Sequence, residues 1–421
     1  MNIQIAILIK YNYYIGLLVW GILSLSSCAH EDIITDISEN KENNPNKSND
    51  NQLPDLYTIR QNDSFIVSNI EYSIYNPYKD HSDKQYKGQL HCHTNNSDGA
   101  LTPIAVMQKY IDYGYDFMTI TDHNTLTSCP DEGADIVWLG ESYEDTRNSA
   151  GHQHMNVLNC NEVIGRKSIY NSTNTPETLV EHFVKNGNAI LSYNHPEDRI
   201  VYASDETLRN LPDGILFVEI YNATIHTNLG DFPTIADLPK SANYGDMYIV
   251  KEGNKRFVNT SHIKSKPKWK ETTEKDYPNG NLDRGFRIML DAGKKVFCSA
   301  VDDFHRGDNM ENRGWMMVFA KERTKEAIWN GLITGSSYAS NGVYLNDISF
   351  INGMMELDIK DGAGATTTFY GKGNEVLSVQ KGSFPQYKAR GNETYIRAMV
   401  ELEGKKAWSQ PTWIIAKKTI K

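Results

Sequence analysis

Two short runs hold side chains able to grip metal ions. The first is Gly88-Gln-Leu-His91-Cys-His93-Thr-Asn-Asn-Ser-Asp98-Gly99, and the second is Thr121-Asp122-His123-Asn124. On an extended strand alternate side chains share a face. His91 and His93 therefore point to one side, where they can hold one ion together, and Cys92 points to the other. Three later segments carry the same residue types: His154-Met155-Asn156, Asn194-His195-Pro196 and Asp302-Asp303-Phe304-His305. Asp303 and His305 alternate in the same way, so Phe304 turns away. Six of the chain's twelve histidines stand at these places: His91, His93, His123, His154, His195 and His305. Taken singly, each reads as an ordinary surface or core histidine. With Asp98 and Asp303 the set reads as metal binding, and imidazole with carboxylate suits zinc, manganese or iron.

The first two runs resemble the opening motifs of the polymerase and histidinol phosphatase (PHP) superfamily of metallohydrolases, and the later segments resemble its remaining motifs. The resemblance covers Tyr86 to Asn341. It implies a distorted (β/α)7-type barrel and two or three divalent ions, zinc, manganese or iron. His91, His93 and Asp303 would hold the first ion and share a bridging glutamate with the second. That glutamate, His154 and His195 would hold the second ion, and Asp98, His123 and His305 the third. The glutamate is Glu141 or Glu144. Glu141 directly follows a strand at 136–139. Glu144 fits the family's Glu-x-Thr better and stands nearer His154; Glu162 falls after that histidine, and His152 competes with His154 on poorer neighbours. Asp122, Asp302 and Asn194 would support the ligating residues. The resemblance further implies a phosphoesterase acting on a small phosphorylated molecule, with a metal-bridging hydroxide as the attacking group and no protein nucleophile. Ser97 and Cys92 are then structural, and Arg306 or Arg199 would meet the phosphate. The His-x-Asn-Val-Leu, Asn-His-Pro and Asp-Asp-x-His runs also resemble a branch containing carbamate hydrolases, which makes an ester, carbamate or amide carbonyl an alternative target. A third reading is a surface binding protein without turnover, against which the intact ligand set argues.

The elements that must position these residues repeat a pattern: helix, glycine stop, strand, then a metal-type residue. Thr102 can cap a helix opened by Pro103 and ended by Gly114, ahead of a strand at 116–120. Thr175 and Pro176 start a second helix, which Gly187 stops before a strand at 188–192. A third helix over 282–292 ends at Gly293, ahead of a strand at 295–301. Helix–strand alternation predicts a parallel sheet with helices outside, and in α/β barrels reactive residues gather at the C-terminal ends of strands. Another strand at 215–220 carries Glu219, read as a satisfied strand-end carboxylate rather than a support for a ligand. The segment 230–281 breaks the rhythm as an insertion over the mouth. From 341 to 421, short alternating runs separated by Gly and Asn predict a small antiparallel β-sandwich.

The totals narrow the function further. The chain has 421 residues, enough for more than one domain, and a net charge of −10, which repels nucleic acid. The lysines of 264–270 read as a solvated loop. Residues 1–27 read as a secretory signal ending in Leu25-Ser26-Ser27-Cys28, similar to a bacterial lipobox, with Cys28 lipidated; an uncleaved anchor over 3–25 is the alternative. Residues 28–55 are too polar to bury a core and read as a tether. The expected protein is exported and lipid-anchored, facing the periplasm or the cell surface, with a metallohydrolase body over 56–340. Cys92, Cys129, Cys160 and Cys298 form no Cys-x-x-Cys pair, and the sequence leaves their disulfide state open.

Overall fold

The computed structural model describes residues 62–147, 153–187, 189–198, 203–225, 249–252, 255–259, 269–272, 283–306 and 311–420. Cys28, the signal, the tether, His152 and Arg199 lie outside them. Among the described residues no helix is long and apolar enough to cross a membrane.

The body is mixed α/β, richer in strands than the helix–strand rhythm predicts. Its largest sheet has twelve strands and a second has five. Parallel pairing is confined to short stretches. Gln85–Gln89 pairs in parallel with Phe117–Met118, which pairs in parallel with Val137–Trp138. In the second sheet Ile190–Tyr193, Phe217–Asn222 and Phe297–Val301 run parallel, while Tyr143–Arg147 and Gln153–Leu158 close its edge antiparallel. Ile190–Tyr193 and Phe297–Val301 are buried throughout and read as largely apolar runs, as parallel strands between layers do. Three single-pair bridges lie near the strand ends: Cys92 with Phe304, His123 with Glu144, and Thr127 with Ser142. Among the described residues these links are single pairs rather than ladders.

The helices follow the local chemistry, with differences at the ends. Pro103–Asp112 starts on its proline and is followed by Gly114 at φ 69°, but the Thr102 side chain makes no cap hydrogen bond. Thr175 does cap, accepting from the Thr178 amide at 3.3 Å. The helix it starts widens into a π turn over Val180–Lys185, which places Val180, Phe183 and Val184 on the core. Arg284–Asp291 ends ahead of Gly293 at φ 86°.

After residue 340 the alternating runs are strands, three in a sheet of their own and five in the large sheet. Leu345–Ile351, Met354–Ile359 and Gln386–Lys388 form a three-stranded sheet. Thr366–Tyr370, Val376–Lys381, Tyr395–Leu402, Lys405–Ser409 and Thr412–Thr419 join the large sheet, where Lys405–Ser409 pairs with Ser337–Ser340. Ile348, Phe350, Met355 and Leu357 from the first group bury against Phe369, Ile396 and Val400 from the second. The insertion contributes a three-stranded antiparallel sheet over 249–252, 255–259 and 269–272.

Candidate metal centre

The histidine segments reach one place because each leaves the end of a strand there. His91 and His93 follow Gln85–Gln89, His123 follows Phe117–Met118, His195 follows Ile190–Tyr193, and Asp303 and His305 follow Phe297–Val301. Glu144 and His154 come from the antiparallel pair at the sheet edge. The backbone is bent to deliver them: His195 (φ 26°) and Asp303 (φ 52°) lie in the left-handed region, at a cost of about 1–3 kcal/mol each. Cross-links hold the bend, with the Asp303 amide donating to His91 O at 3.0 Å and the His93 amide to Phe304 O at 2.8 Å. Gly99 closes the Asp98 turn against the His93 backbone, where a Cβ would come within 2.7 Å.

Glu144 lies at the middle of the row. Its carboxylate is 2.6 Å from His123 Nδ1, 3.2 Å from His154 Nδ1, 3.5 Å from the Nε2 atoms of His91 and His195, and 3.7 Å from His93 Nε2. On one side, Asp303 Oδ1 lies 3.1 Å from both His91 Nε2 and His93 Nε2, which face each other at 3.0 Å. On the other, Asp98 lies 3.4 Å from His123 Nε2 and from His305 Nε2, and 3.7 Å from His93 Nδ1. Three groups keep their donor atoms within 4.8 Å of one another: His93, Asp98, His123 and His305; His91, His93 and Glu144; and His123, Glu144 and His154. His93 thus faces both the Asp98 group and the Glu144 group.

The donor set fits divalent cations. Asp303 Oδ1, His93 Nδ1 and His195 Nδ1 are buried without a hydrogen bond, whereas buried polar atoms normally have one. The charges press the same way. Burial disfavours protonation of His91, but Asp303, Glu219 and Glu144 outweigh it and lift the ring to about 9. Against the same burial penalty His123 rises to about 10 through Glu144 and Asp98, and His195 to about 10 through Glu144 and Asp198. His93 falls to about 4, through burial and then the charges of His305 and His123. Glu144 and Asp303 lie well below the carboxylate range despite their burial, held there by the surrounding imidazoles. Asp98, also opposed by burial, is drawn down to about 2 by His123, His93 and His305.

The remaining expected site residues fall in different places. Of the two glutamates, Glu144 reaches the histidines; Glu141 is partly exposed and its charge sits beside Cys129 and Cys160. Asp122 supports no histidine. It accepts from the Thr94 amide at 2.7 Å, from the Thr94 and Thr127 hydroxyls at 2.6 Å and from Ser97 Oγ at 2.7 Å, and so fixes the turn that carries Asp98. Asp302 likewise accepts from the amides of Asn312, Arg313 and Gly314 and from the Tyr110 hydroxyl. Burial lifts it to about 6. Asn194 does meet Glu144, donating to Oε1 at 2.7 Å. Arg306 is exposed beside His305.

Glu219, read from the sequence as bystander, is in the site. Its Oε1 lies 2.6 Å from His91 Nδ1, and its Oε2 accepts from the His195 amide at 2.8 Å and from Asn222 Nδ2 at 2.9 Å. Thr146 Oγ1, 2.5 Å from His123 Nδ1, also escaped sequence reasoning. For Glu219 the available sign was a carboxylate at a strand end level with the motif histidines. For Thr146 it was two-residue alternation from Glu144.

No protein-family model matches the sequence, and no curated protein matches it. Among solved structures, the chain is similar to a two-domain protein from Bacteroides vulgatus containing a predicted PHP-like metal-dependent phosphoesterase. The identity is 14%, the TM-score 0.38, and the alignment covers 78% of this chain and 93% of that one. At that TM-score the likeness decides nothing about this chain; the functional reading rests on where its residues lie.

Proposed function

We propose that the chain is a metal-dependent hydrolase of the PHP type, a phosphoesterase acting on a small phosphorylated molecule. The observation that carries the reading is Glu144: one buried carboxylate facing five imidazoles, with Asp303 and Asp98 on either side. Such a row suits two or three divalent ions, zinc, manganese or iron. The superfamily's barrel belongs to the same proposal, supported by the parallel pairs and by site residues at C-terminal strand ends. So does a lipid on Cys28 that ties the body to a membrane, which rests on sequence alone.

Bound ions would supply Lewis acidity and lower the pKa of water from about 15.7 to about 7. The chain's own residues do the rest. Glu219 takes the Nδ1 side of His91 and leaves Nε2 facing Asp303 and Glu144, which fixes the ring's orientation. Asn194, itself paired with Asn156 at 2.9 Å, holds the Glu144 carboxylate in place. Asp98 and His305, each about a quarter exposed, leave one end of the row open to a substrate. No side chain here is poised to attack. Cys92 is buried, and burial keeps its thiol protonated well above the usual range. Ser97 Oγ donates to Asp122.

The test is to measure metal content of the purified protein and then assay p-nitrophenyl phosphate, bis-p-nitrophenyl phosphate and p-nitrophenyl acetate. Co-purified divalent metal with phosphate-ester turnover is expected. Turnover of the acetate alone would move the target to a carbonyl carbon. Bound metal without any turnover would replace the hydrolase by a binding protein.

A further inference from the structure

The hairpin formed by Arg166–Ser168 and Asn171–Ser172 turns at Ile169 and Tyr170. Tyr170 is 42% exposed, yet its ring lies 5.5 Å from the His123 ring, inclined at 60°. A single exposed aromatic is ordinary in itself. This one is held in place from below. Asn124 Nδ2 donates to the carbonyls of Ser168 and Ile169, at 3.2 Å each. Asp145 accepts from Ser172 Oγ at 2.9 Å and from Asn174 Nδ2 at 2.5 Å. Both anchors are fully buried. Asn124 directly follows His123, and Asp145 directly follows Glu144. The strand Tyr143–Arg147 therefore sends one carboxylate into the metal centre and the next, on its opposite face, to the hairpin. The rigidity that fixes the histidine row also fixes Tyr170 at its open end, on the His123 and Asp98 side.

We propose that Tyr170 contacts substrate and selects for a planar aromatic group next to the phosphoryl group held at the open end of the row. The inference rests on the hydrolase reading for what occupies the row. A tethered ring loses little freedom on binding and offers a flat apolar face. Offset stacking on such a ring strengthens binding by about two- to tenfold.

The test uses two non-hydrolysable probes, phenylphosphonate and methylphosphonate, titrated calorimetrically into the manganese-loaded full chain and its Tyr170→Phe and Tyr170→Ala variants. Wild type and Tyr170→Phe should bind the phenyl probe more tightly than the methyl probe. Tyr170→Ala should lose about two- to tenfold for the phenyl probe and nothing for the methyl probe. Equal weakening of both probes, no weakening of either, or a wild type that does not distinguish them would overturn the proposal. Turnover of p-nitrophenyl phosphate by the same preparations reports separately on the hydrolase reading. Its absence alongside an intact phenyl preference would sink that reading and leave the aromatic contact standing.

Discussion

The two ends of the histidine row are built differently. At the deep end His91, Glu144 and His195 are buried, and each is held from behind: His91 Nδ1 and the His195 amide by Glu219, and Glu144 by Asn194. At the open end Asp98 and His305 meet solvent, and their support is backbone: the turn fixed by Asp122, and the Asp303 carbonyl 2.8 Å from His305 Nδ1. Charge in the deep end is screened little, so its imidazoles and carboxylates shift one another strongly. The difference teaches a division of labour. On the proposed reading the deep end would keep an ion and the open end would meet a substrate.

Replacing Glu144 should break that division most severely. Glu144→Gln keeps the shape and removes the charge facing five imidazoles. Divalent metal should fall to background, turnover should vanish, and the metal-free protein should lose up to about 3–5 kcal/mol, because the buried imidazolium charge loses its central counter-charge. Asp98→Asn touches only the open end. It should lower metal stoichiometry by one ion with little change in urea stability. Metal analysis and urea unfolding of the two variants check the contrast; identical losses would show one undivided site.

The next largest effect belongs to Glu219. Glu219→Gln leaves the cluster's donors in place but weakens the grip on His91 Nδ1 and on the His195 amide. Metal affinity or activity should drop about 10- to 100-fold, and competition with a chelator measures it. An unchanged affinity would mean that the strand-end carboxylate is a bystander after all.

A pH series sharpens the comparison further. In the metal-free protein His91, His123 and His195 are lifted to about 9, 10 and 10, above their ordinary value near 6.5. The folded state therefore binds more protons than the unfolded state in this window, and stability falls as pH rises. The contribution is complete below about pH 6.5 and gone once pH passes about 10. Ions compete with those protons for the same nitrogens. The rise in Tm on adding manganese should accordingly be larger at pH 9 than at pH 6. A constant difference across that range would show that the lifted histidines are not the groups the metal displaces.

The parts of this arrangement that were legible in the sequence are local. Two-residue alternation places His91 with His93, and it needs only an extended backbone; Asp303 reaches the row through a left-handed bend that alternation does not foretell. Gly114 and Gly293 mark helix ends because the chain turns left-handed there. What was not legible depends on contacts across the chain. Glu219 stands where its strand's register slips, between Glu219 and Tyr221, and one side chain there reaches both His91 and the His195 backbone. Asp122 and Asp302 adjoin site residues in sequence, but their turns draw them to loop amides and hydroxyls. The late strands show their alternation plainly, yet the sheet they extend is set by pairing between residues 337–340 and 405–409.

The smallest expected effect falls on Glu141. Alternation along Tyr143–Arg147 puts Glu144 and Thr146 on the side of His123, while Tyr143 packs in the core and Asp145 binds Ser172. Glu141 stands outside this strand, its carbonyl accepting from the Cys160 amide at 2.8 Å. Glu141→Gln keeps that backbone contact, so stability should stay within about 0.5 kcal/mol of wild type and metal content should not change. A loss of metal here would mean that the strand runs in the opposite register. Tyr143 would then leave the core and Asp145 would leave the hairpin, and the deep end would have to be rebuilt around a different carboxylate.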